Sequence, residues 1–146
     1  MYESQSPFLK FFEIKRAFFQ ALHACNTAEQ AHPGQVPILC LLLRTGESSQ
    51  ADIVRKMKVS AATVAVSVAR LERLGLITRE RNQTNQRANV LHLTEKGQKV
   101  AAEMNRTVAK LEETALLGFS AEEKLFIENC CDRMIQNLQD HCIEKE

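Results

Sequence analysis

The basic side chains of this chain are concentrated in its middle third, where they could bind phosphate groups. Residues 49–99 carry ten basic and four acidic side chains, a formal charge of +6, whereas the whole chain of 146 residues carries +1. The remaining residues therefore carry −5. This charge distribution is expected when one part of a protein contacts a polyanion and the other parts do not. Charge alone leaves a solvated basic surface as the alternative.

The sequence lacks the spacings that indicate catalytic or metal chemistry. It has no Cys-x-x-Cys, His-x-x-x-His or Gly-x-Ser-x-Gly motif and no glycine-rich phosphate loop, and its four histidines are scattered. The segment Thr94-Glu95-Lys96-Gly97 lacks the flanking glycines of a phosphate-binding turn. We therefore expect no enzyme activity, no cofactor and no metal site.

A helix-turn-helix pattern must position the first of these basic residues. Ser48 or Ser49 can cap a first helix, because a serine hydroxyl accepts a hydrogen bond from the free amides of a helix start. After a turn at residues 58–59, Ser60 can cap a second helix. Gly75 follows that helix, at a position where a left-handed residue costs least. Apolar residues recur in the second helix at the spacing of a helix packed on one side: Val64, Val68 and Leu71.

A β-hairpin with a long polar tip is predicted next. Residues 76–81 and 89–93 contain β-branched and apolar residues typical of strands, and residues 82–87 between them are all polar. The order helix, turn, helix and hairpin predicts a winged module. With this pattern, DNA binding becomes a better explanation of the positive charge than a solvated surface.

Further helices are predicted around the winged module. The apolar run at 38–43 predicts a central helix, and Ser6 can cap an N-terminal helix that carries most of the seven phenylalanines. After the hairpin, Thr94 can cap a long helix that Gly118 ends, and residues 120–123 form a capping box for the last helix. A lone helix with so much aromatic surface would not be tolerated in water. We therefore expect these helices to pack on other helices and on a second chain.

Hydropathy predicts a cytoplasmic protein without a membrane partner. No apolar run approaches the ~20 residues needed to span a bilayer. Residues 1–12 lack the basic start and uninterrupted apolar core of a signal peptide.

At these residues the chain resembles the MarR family of bacterial transcription regulators, which are winged helix-turn-helix dimers. The resemblance covers essentially the whole chain in length and order. Its specific part is about half of the chain and consists of the following segments: Ser49-Gln50 through Ile53-Val54, Ala62-Thr63-Val64 followed by Arg70-Leu71-Glu72, residues 74–79, and residues 93–97. His32-Pro33-Gly34-Gln35 resembles the family's entry into its second helix, and Arg87 matches the last arginine of its wing signature.

The chain departs from the family pattern in the wing. Asn85 and Gln86 stand where the family usually has Asp and often Arg. The usual ion pair therefore cannot form. A hydrogen bond between Asn85 and Arg87 could replace it, at lower strength because the acceptor is uncharged.

The second helix also departs from the family, because it is poor in charge. Alanines and Val66 occupy positions where many relatives carry polar or basic residues. The contacts that remain available are those of Ala, Thr63 and Val66 with thymine methyl groups, and short hydrogen bonds from Ser60 and Ser67.

The resemblance implies a mainly α fold with a small β wing, in which N- and C-terminal helices form a dimerisation region. It implies a single domain, residues 1–146, with dimerisation helices in 1–32 and 98–146 and the DNA-binding module in 33–97. The expected partners are double-stranded DNA, a second copy of the chain and a small-molecule effector. The expected function is that of a homodimeric, ligand- or stress-responsive repressor acting on an inverted-repeat operator.

The same resemblance implies a set of DNA-binding residues. Arg70 and the first amides of the first helix would hold phosphates, the second helix would face bases in the major groove, and Arg87 would contact the minor groove or the backbone. The full set is as follows: Ser49, Gln50, Ser60, Ala62, Thr63, Val66, Ser67, Arg70, Asn85 and Arg87.

Two alternatives remain open at the level of sequence. The five cysteines are mostly expected as reduced, small hydrophobic residues. Within a dimer, however, Cys25 could meet Cys142, or Cys142 could meet its symmetry mate, which would make a thiol-switched regulator. A bond between the adjacent Cys130 and Cys131 would be strained. The second alternative is a winged-helix module that binds another protein through its apolar second helix.

Overall fold

The computed structural model describes residues 6–25, 31–81 and 89–143. A short 3-10 turn, Pro33–Gln35, precedes the second helix. The helices and strands follow one another along the chain in this order: α1 (Pro7–Ala24), α2 (Val36–Thr45), β1 (Glu47–Ser49), α3 (Gln50–Met57), α4 (Ala61–Arg73), β2 (Ile77–Arg81), β3 (Asn89–Leu93), α5 (Glu95–Ala115) and α6 (Ala121–Ile143). The predicted fold class, mainly α with a small β wing, is confirmed.

Local caps start the N-terminal helix and the turn before α2. The Ser6 hydroxyl accepts a hydrogen bond from the amide of Phe8 at 3.3 Å, and a proline follows Ser6 at the first helical position, as predicted. The imidazole Nδ1 of His32 accepts from the amide of Gly34 at 3.1 Å, while the Gln35 side chain accepts from the His32 amide at 3.2 Å. These bonds satisfy amides that a helix start leaves without partners.

The sheet has a strand that the sequence did not predict. Strand β3 lies between β1 and β2, and both pairings are antiparallel. Ser48 belongs to β1, where it is buried and its hydroxyl lies 3.2 Å from that of Thr45. Of the two serines proposed to cap α3, Ser49 is therefore the cap and Ser48 is not.

The turn between α3 and α4 is built around a left-handed residue. Lys58 has φ 53° and ψ 42°, and its amide donates to the carbonyl of Val54 at 2.9 Å. The turn predicted at residues 58–59 is confirmed. Gly75, just past the end of α4, also has a positive φ, 69°, as its predicted position requires.

The hydrophobic core lies beneath the helix-turn-helix and the sheet. The apolar stripe predicted for α4 is buried, and Leu39 and Leu42 from α2 are fully inaccessible to solvent. The core draws on α2, α3, α4, β2, β3 and α5 and on the segment before β2, through the following residues: Ile38, Leu39, Leu42, Ile53, Val64, Val68, Leu71, Leu76, Ile77, Leu91 and Ala101. The faces of α3 and α4 that point away from this core are held in a fixed orientation.

The chain divides into two compact units, Met1–Leu111 and Glu112–Glu146. In the second unit, Gly118 has φ 86° in the segment between α5 and α6. The capping box predicted for α6 is present, because the Ser120 amide donates to Glu123 Oε2 at 2.7 Å and the Glu123 amide donates to Ser120 Oγ at 3.1 Å. Within the described ranges, no helix combines the length and apolar character that a membrane span requires.

Candidate nucleic-acid interface

The start of α4 is fixed by two hydroxyl groups. The Ser60 hydroxyl accepts a hydrogen bond from the Thr63 amide at 3.1 Å, and the two hydroxyls are 2.8 Å apart. Both side chains are exposed. The hydroxyl pair therefore stands at the N-terminal end of the helix, where the helix dipole is positive and favours a nearby anion.

The exposed face of α4 is mainly uncharged, with cations at its C-terminal end. Ala62 and Thr63 are exposed, and Val66 keeps 55% of its surface in solvent. Arg70 is also exposed, one turn further along, whereas Ser67 is half-buried. Among the residues predicted to face bases, Ser67 is therefore the least available.

The start of α3 uses its serine for capping. The Ser49 hydroxyl accepts from the Asp52 amide at 3.1 Å and donates to Asp52 Oδ2 at 2.8 Å. Arg55 Nη2 donates to the other carboxylate oxygen, Oδ1, at 2.7 Å. The hydrogen bond from Ser49, followed by that from Arg55, holds the pKa of the Asp52 carboxyl below its usual value. Because its hydroxyl is engaged in this way, Ser49 has less capacity to contact DNA than its position alone implied.

Arg79 is a residue of this surface that the set of predicted DNA contacts did not include. It lies on β2, its Nε and Nη2 atoms each donate to a carboxylate oxygen of Glu72 at 3.1 Å, and its Nη1 donates to Gln50 Oε1 at 2.7 Å. The hydrogen bonds to Glu72 raise the pKa of Arg79 above its usual value. The sequence contained both charges, in Arg70-Leu71-Glu72 and in residues 74–79, but their pairing depends on how β2 folds back along α4.

The Thr-Glu-Lys-Gly segment ties the start of α5 to the end of α4. The Thr94 hydroxyl donates to the Gly75 carbonyl at 2.6 Å and accepts from the Gly97 amide at 3.0 Å, so Thr94 caps α5 as predicted. Lys96 Nζ donates to the Leu74 carbonyl at 3.3 Å. The segment therefore has a structural role, because it joins two helices. That role explains its residue types, and no bound phosphate is needed to explain them.

The wing is described only at its base. Arg81, at the end of β2, is exposed, and so is Asn89, its partner at the start of β3. His92 Nε2 lies 3.8 Å from a carboxylate oxygen of Glu47 and 3.6 Å from one of Glu80, on the two neighbouring strands. The predicted wing contacts Asn85 and Arg87 lie outside the described residues.

The electrostatic character of the surface agrees with the sequence pattern. Every basic residue that the structure describes between positions 49 and 99 is exposed. No group of three or more His, Cys, Asp or Glu side chains suited to a metal ion occurs in residues 6–25, 31–81 and 89–143. The exposed basic groups give this surface a positive charge that suits an anionic partner such as phosphate.

A cavity of about 440 Å³ in the first unit is lined by residues of α2, α3 and α5. Its walls combine apolar side chains with two exposed cations and an amide, in the following set: Pro37, Cys40, Leu41, Leu43, Arg44, Lys56, Met57 and Asn105. Burial raises the pKa of the Cys40 thiol, so this thiol stays protonated further into the alkaline range than a solvated one.

Two helices joined by a tight turn and followed by a β-hairpin define a winged helix-turn-helix protein. The same fold occurs in a Listeria monocytogenes protein assigned to the MarR family of transcriptional regulators and solved in complex with a 26mer DNA. That chain superposes with a TM-score of 0.83 at 23% identity, over 94% of this chain and 91% of its own. The PcaV regulator of Streptomyces coelicolor, solved with its natural ligand, gives a TM-score of 0.78 at 20% identity, over 91% and 94% of the two chains.

Sequence comparison finds a similarity to one family. Residues 31–88, which contain α2, α3, α4 and β2, match the model of the MarR family. An uncharacterized HTH-type transcriptional regulator of Bacillus subtilis, YdgJ, is 26% identical over 117 residues, which are 80% of this chain and 70% of the relative. Residues 31–88 of this chain are therefore similar to the MarR family of transcription regulators.

Proposed function

We propose that the protein is a cytoplasmic, homodimeric repressor that binds an inverted-repeat operator and responds to a small molecule. The observation that carries this proposal is the exposed, uncharged face of α4 beside exposed arginines on a winged helix. Such a face can approach base edges closely, while the cations around it neutralise phosphates. Its chemistry is that of a binding protein and not of an enzyme.

In the proposed complex, α4 enters the major groove of each half-site. Ser60, Ala62, Thr63 and Val66 face bases, and their methyl groups favour contact with thymine. Arg70 holds a phosphate, and the wing reaches the adjoining minor groove. Two-fold symmetry then requires half-site centres about one helical turn, ~10 bp, apart.

The proposed domain organisation follows the same division of roles. Residues 33–97 form the DNA-binding module, while 1–32 and 98–146 supply the dimerisation helices of a single domain. Helix α1 supports this assignment, because its exposed apolar residues include Phe12, at 63% exposure, and Ile14, at 61%. Apolar surface of this kind is typical of a protein interface.

The cavity at α2 is the proposed effector site. Its apolar wall and its two cations, Arg44 and Lys56, suit a small apolar molecule that carries a carboxylate. The solved PcaV structure, which holds a natural ligand, supports a ligand-responsive mode for this fold.

We expect a small aromatic or aliphatic carboxylate to raise the Tm of the wild type, with a smaller increase in Lys56→Gln. Lys99→Gln removes a surface cation outside the cavity and serves as the matched control.

Selection of bound DNA from a random duplex pool at two salt concentrations tests the proposed function. An enriched inverted repeat, with an affinity that falls steeply as salt rises, is the expected result, because phosphate contacts release counterions. Weak binding at both salt concentrations, without any enriched sequence, would contradict sequence-specific DNA binding. The apolar face of α4 would then fit a module that binds another protein.

A further inference from the structure

Arg79, Glu72 and Gln50 form a hydrogen-bonded cluster that joins the wing to both helices of the helix-turn-helix. The guanidinium of Arg79, on β2, binds both carboxylate oxygens of Glu72, on α4, at 3.1 Å. Its third nitrogen binds the side-chain oxygen of Gln50, the first residue of α3, at 2.7 Å. We call this cluster the Arg79 clasp. It connects β2, α4 and α3, whose relative positions must be fixed for the proposed DNA contacts.

In the clasp, the Arg79 guanidinium is bonded to other groups of the protein. Paired donors on a carboxylate fix both the distance and the plane of the guanidinium. The Arg79 and Glu72 side chains are 34% and 31% exposed, so water only partly screens their attraction. A phosphate would have to compete with a carboxylate that is already bound at two points.

The clasp also fixes which end of the Gln50 amide faces outward. A guanidinium has donors and no acceptor, so Gln50 must present its oxygen to Arg79, and its NH2 group then points away from Arg79. In the part of the chain that the structure describes, no protein acceptor is recorded for that NH2 group. The donor stands at the start of α3, beside the Ser49 hydroxyl that is already used for capping.

We propose that Arg79 and Glu72 are positioning residues that hold the Gln50 amide donor toward a DNA phosphate and fix the wing against α4. This inference rests on the proposed function. In it, Gln50 touches the phosphate backbone, whereas Arg79 and Glu72 act through Gln50 and through the placement of the wing. Arg79 is then not itself a phosphate ligand.

Substitution of Glu72 distinguishes a positioning role from an effect of net charge alone on DNA binding. Glu72→Gln raises the net charge by one, so an electrostatic effect alone would tighten DNA binding. The proposal predicts the opposite sign, a loss of about tenfold, which corresponds to ~1.4 kcal/mol. Glu95→Gln is the matched control, because it makes the same charge change at an acid that pairs with Lys99 on the surface of α5. Affinity is measured on the enriched duplex and on a random duplex of the same length.

A double-mutant cycle tests whether the clasp acts through Gln50. In a Gln50→Ala background, Glu72→Gln should cost clearly less than it does alone, because the donor that the clasp positions is already absent. A purely structural role of Glu72 would give the same loss in both backgrounds. Tighter binding by Glu72→Gln, or full additivity in the cycle, would overturn the proposal.

A measurement without DNA tests the geometry of the clasp separately. The side-chain amide signal of Gln50 in a nitrogen-15 spectrum is assigned by its loss in Gln50→Ala. It should shift in Glu72→Gln and in Arg79→Lys but not in Glu95→Gln. An unchanged signal in the first two variants would contradict the clasp. If the wild type bound neither duplex while the signal shifted as expected, the proposed function would fail and the clasp geometry would stand.

Discussion

Val66 shows at the scale of a single residue what kind of DNA contact the α4 surface can make. It is 55% exposed on a helix whose other face is buried, so its methyl groups can contact a molecule that binds to the exposed face. Neither Val66 nor the alanines beside it carries a polar group. Recognition on this face therefore depends on shape and methyl contact, with hydrogen bonding limited to Ser60 and Thr63 at the helix start.

Val66→Asp should weaken binding to the cognate duplex more than binding to random DNA. A carboxylate at a base-facing position loses the methyl contact and repels phosphates, and a base contact of this kind is worth about 1–3 kcal/mol. Affinity measured on both duplexes shows the difference. Ala109→Asp, which adds the same charge at an exposed position of α5, controls for overall charge. Equal losses on the two duplexes would place Val66 against the backbone.

The cysteines bear on the thiol-switched alternative. Cys25 is exposed, whereas Cys40 is half-buried and burial raises the pKa of its thiol. Since the thiolate is the reactive form, Cys40 should react with iodoacetamide more slowly than Cys25 at pH 8. Mass spectrometry of the digested protein at successive times measures both rates. Faster labelling of Cys40 would make the cavity thiol a sensor candidate.

The helices of this chain were predictable because their start signals are local. Ser6, Ser49, Ser60 and Ser120 each bond an amide two or three residues ahead, so the pattern lies within one turn of sequence. Buried stripes were equally readable, because helical spacing alone places their residues on one face.

Contacts between distant elements were not predictable in the same way. Strand β1 has three residues and forms only because it pairs with β3, more than forty positions later in the chain. The bond from Arg79 to Gln50 spans 29 residues, and no periodicity signals it. The candidate DNA surface could therefore be proposed from the sequence, whereas the interactions that hold its elements in place could not.

Gly97 illustrates how closely the elements are packed at the junction of α4 and α5. A Cβ added there would lie 1.8 Å from the backbone oxygen of Leu76, an atom that cannot move without shifting β2. Gly97→Ala should therefore destabilise the protein by about 3 kcal/mol, at the upper end of typical overpacking costs. Urea unfolding measures the change.

Gly75→Ala provides the matched comparison for this prediction. Nothing lies within 4 Å of a Cβ at Gly75, but its φ of 69° disfavours any other residue. The expected cost is only the left-handed penalty, about 1–2 kcal/mol. A Gly97→Ala variant as stable as Gly75→Ala would show that the junction can relax.

The whole molecule combines a basic winged module with exposed apolar residues in both of its compact units. In the first unit these include Phe8 and Phe12 on α1, and in the second they include Leu125, Phe126 and Leu138 on α6. Single exposed apolar residues are ordinary, but this many on terminal helices indicate surfaces that meet another chain. The proposed inverted-repeat operator would require that other chain to be a second copy.

Phe12→Glu should therefore break the dimer and abolish specific DNA binding together. Phe12 is 63% exposed, so the substitution removes no core contact and should leave the fold intact, while a charge in an apolar interface opposes association. Sedimentation equilibrium should give twice the chain mass of 16.5 kDa for the wild type and the single chain mass for the variant. Val66→Glu also introduces a glutamate, on the proposed DNA-facing side of α4, so it should reduce DNA binding while the mass stays that of a dimer. A dimeric Phe12→Glu variant would remove α1 from the interface and leave α6 to supply it, whereas a monomeric wild type would contradict the proposed homodimer.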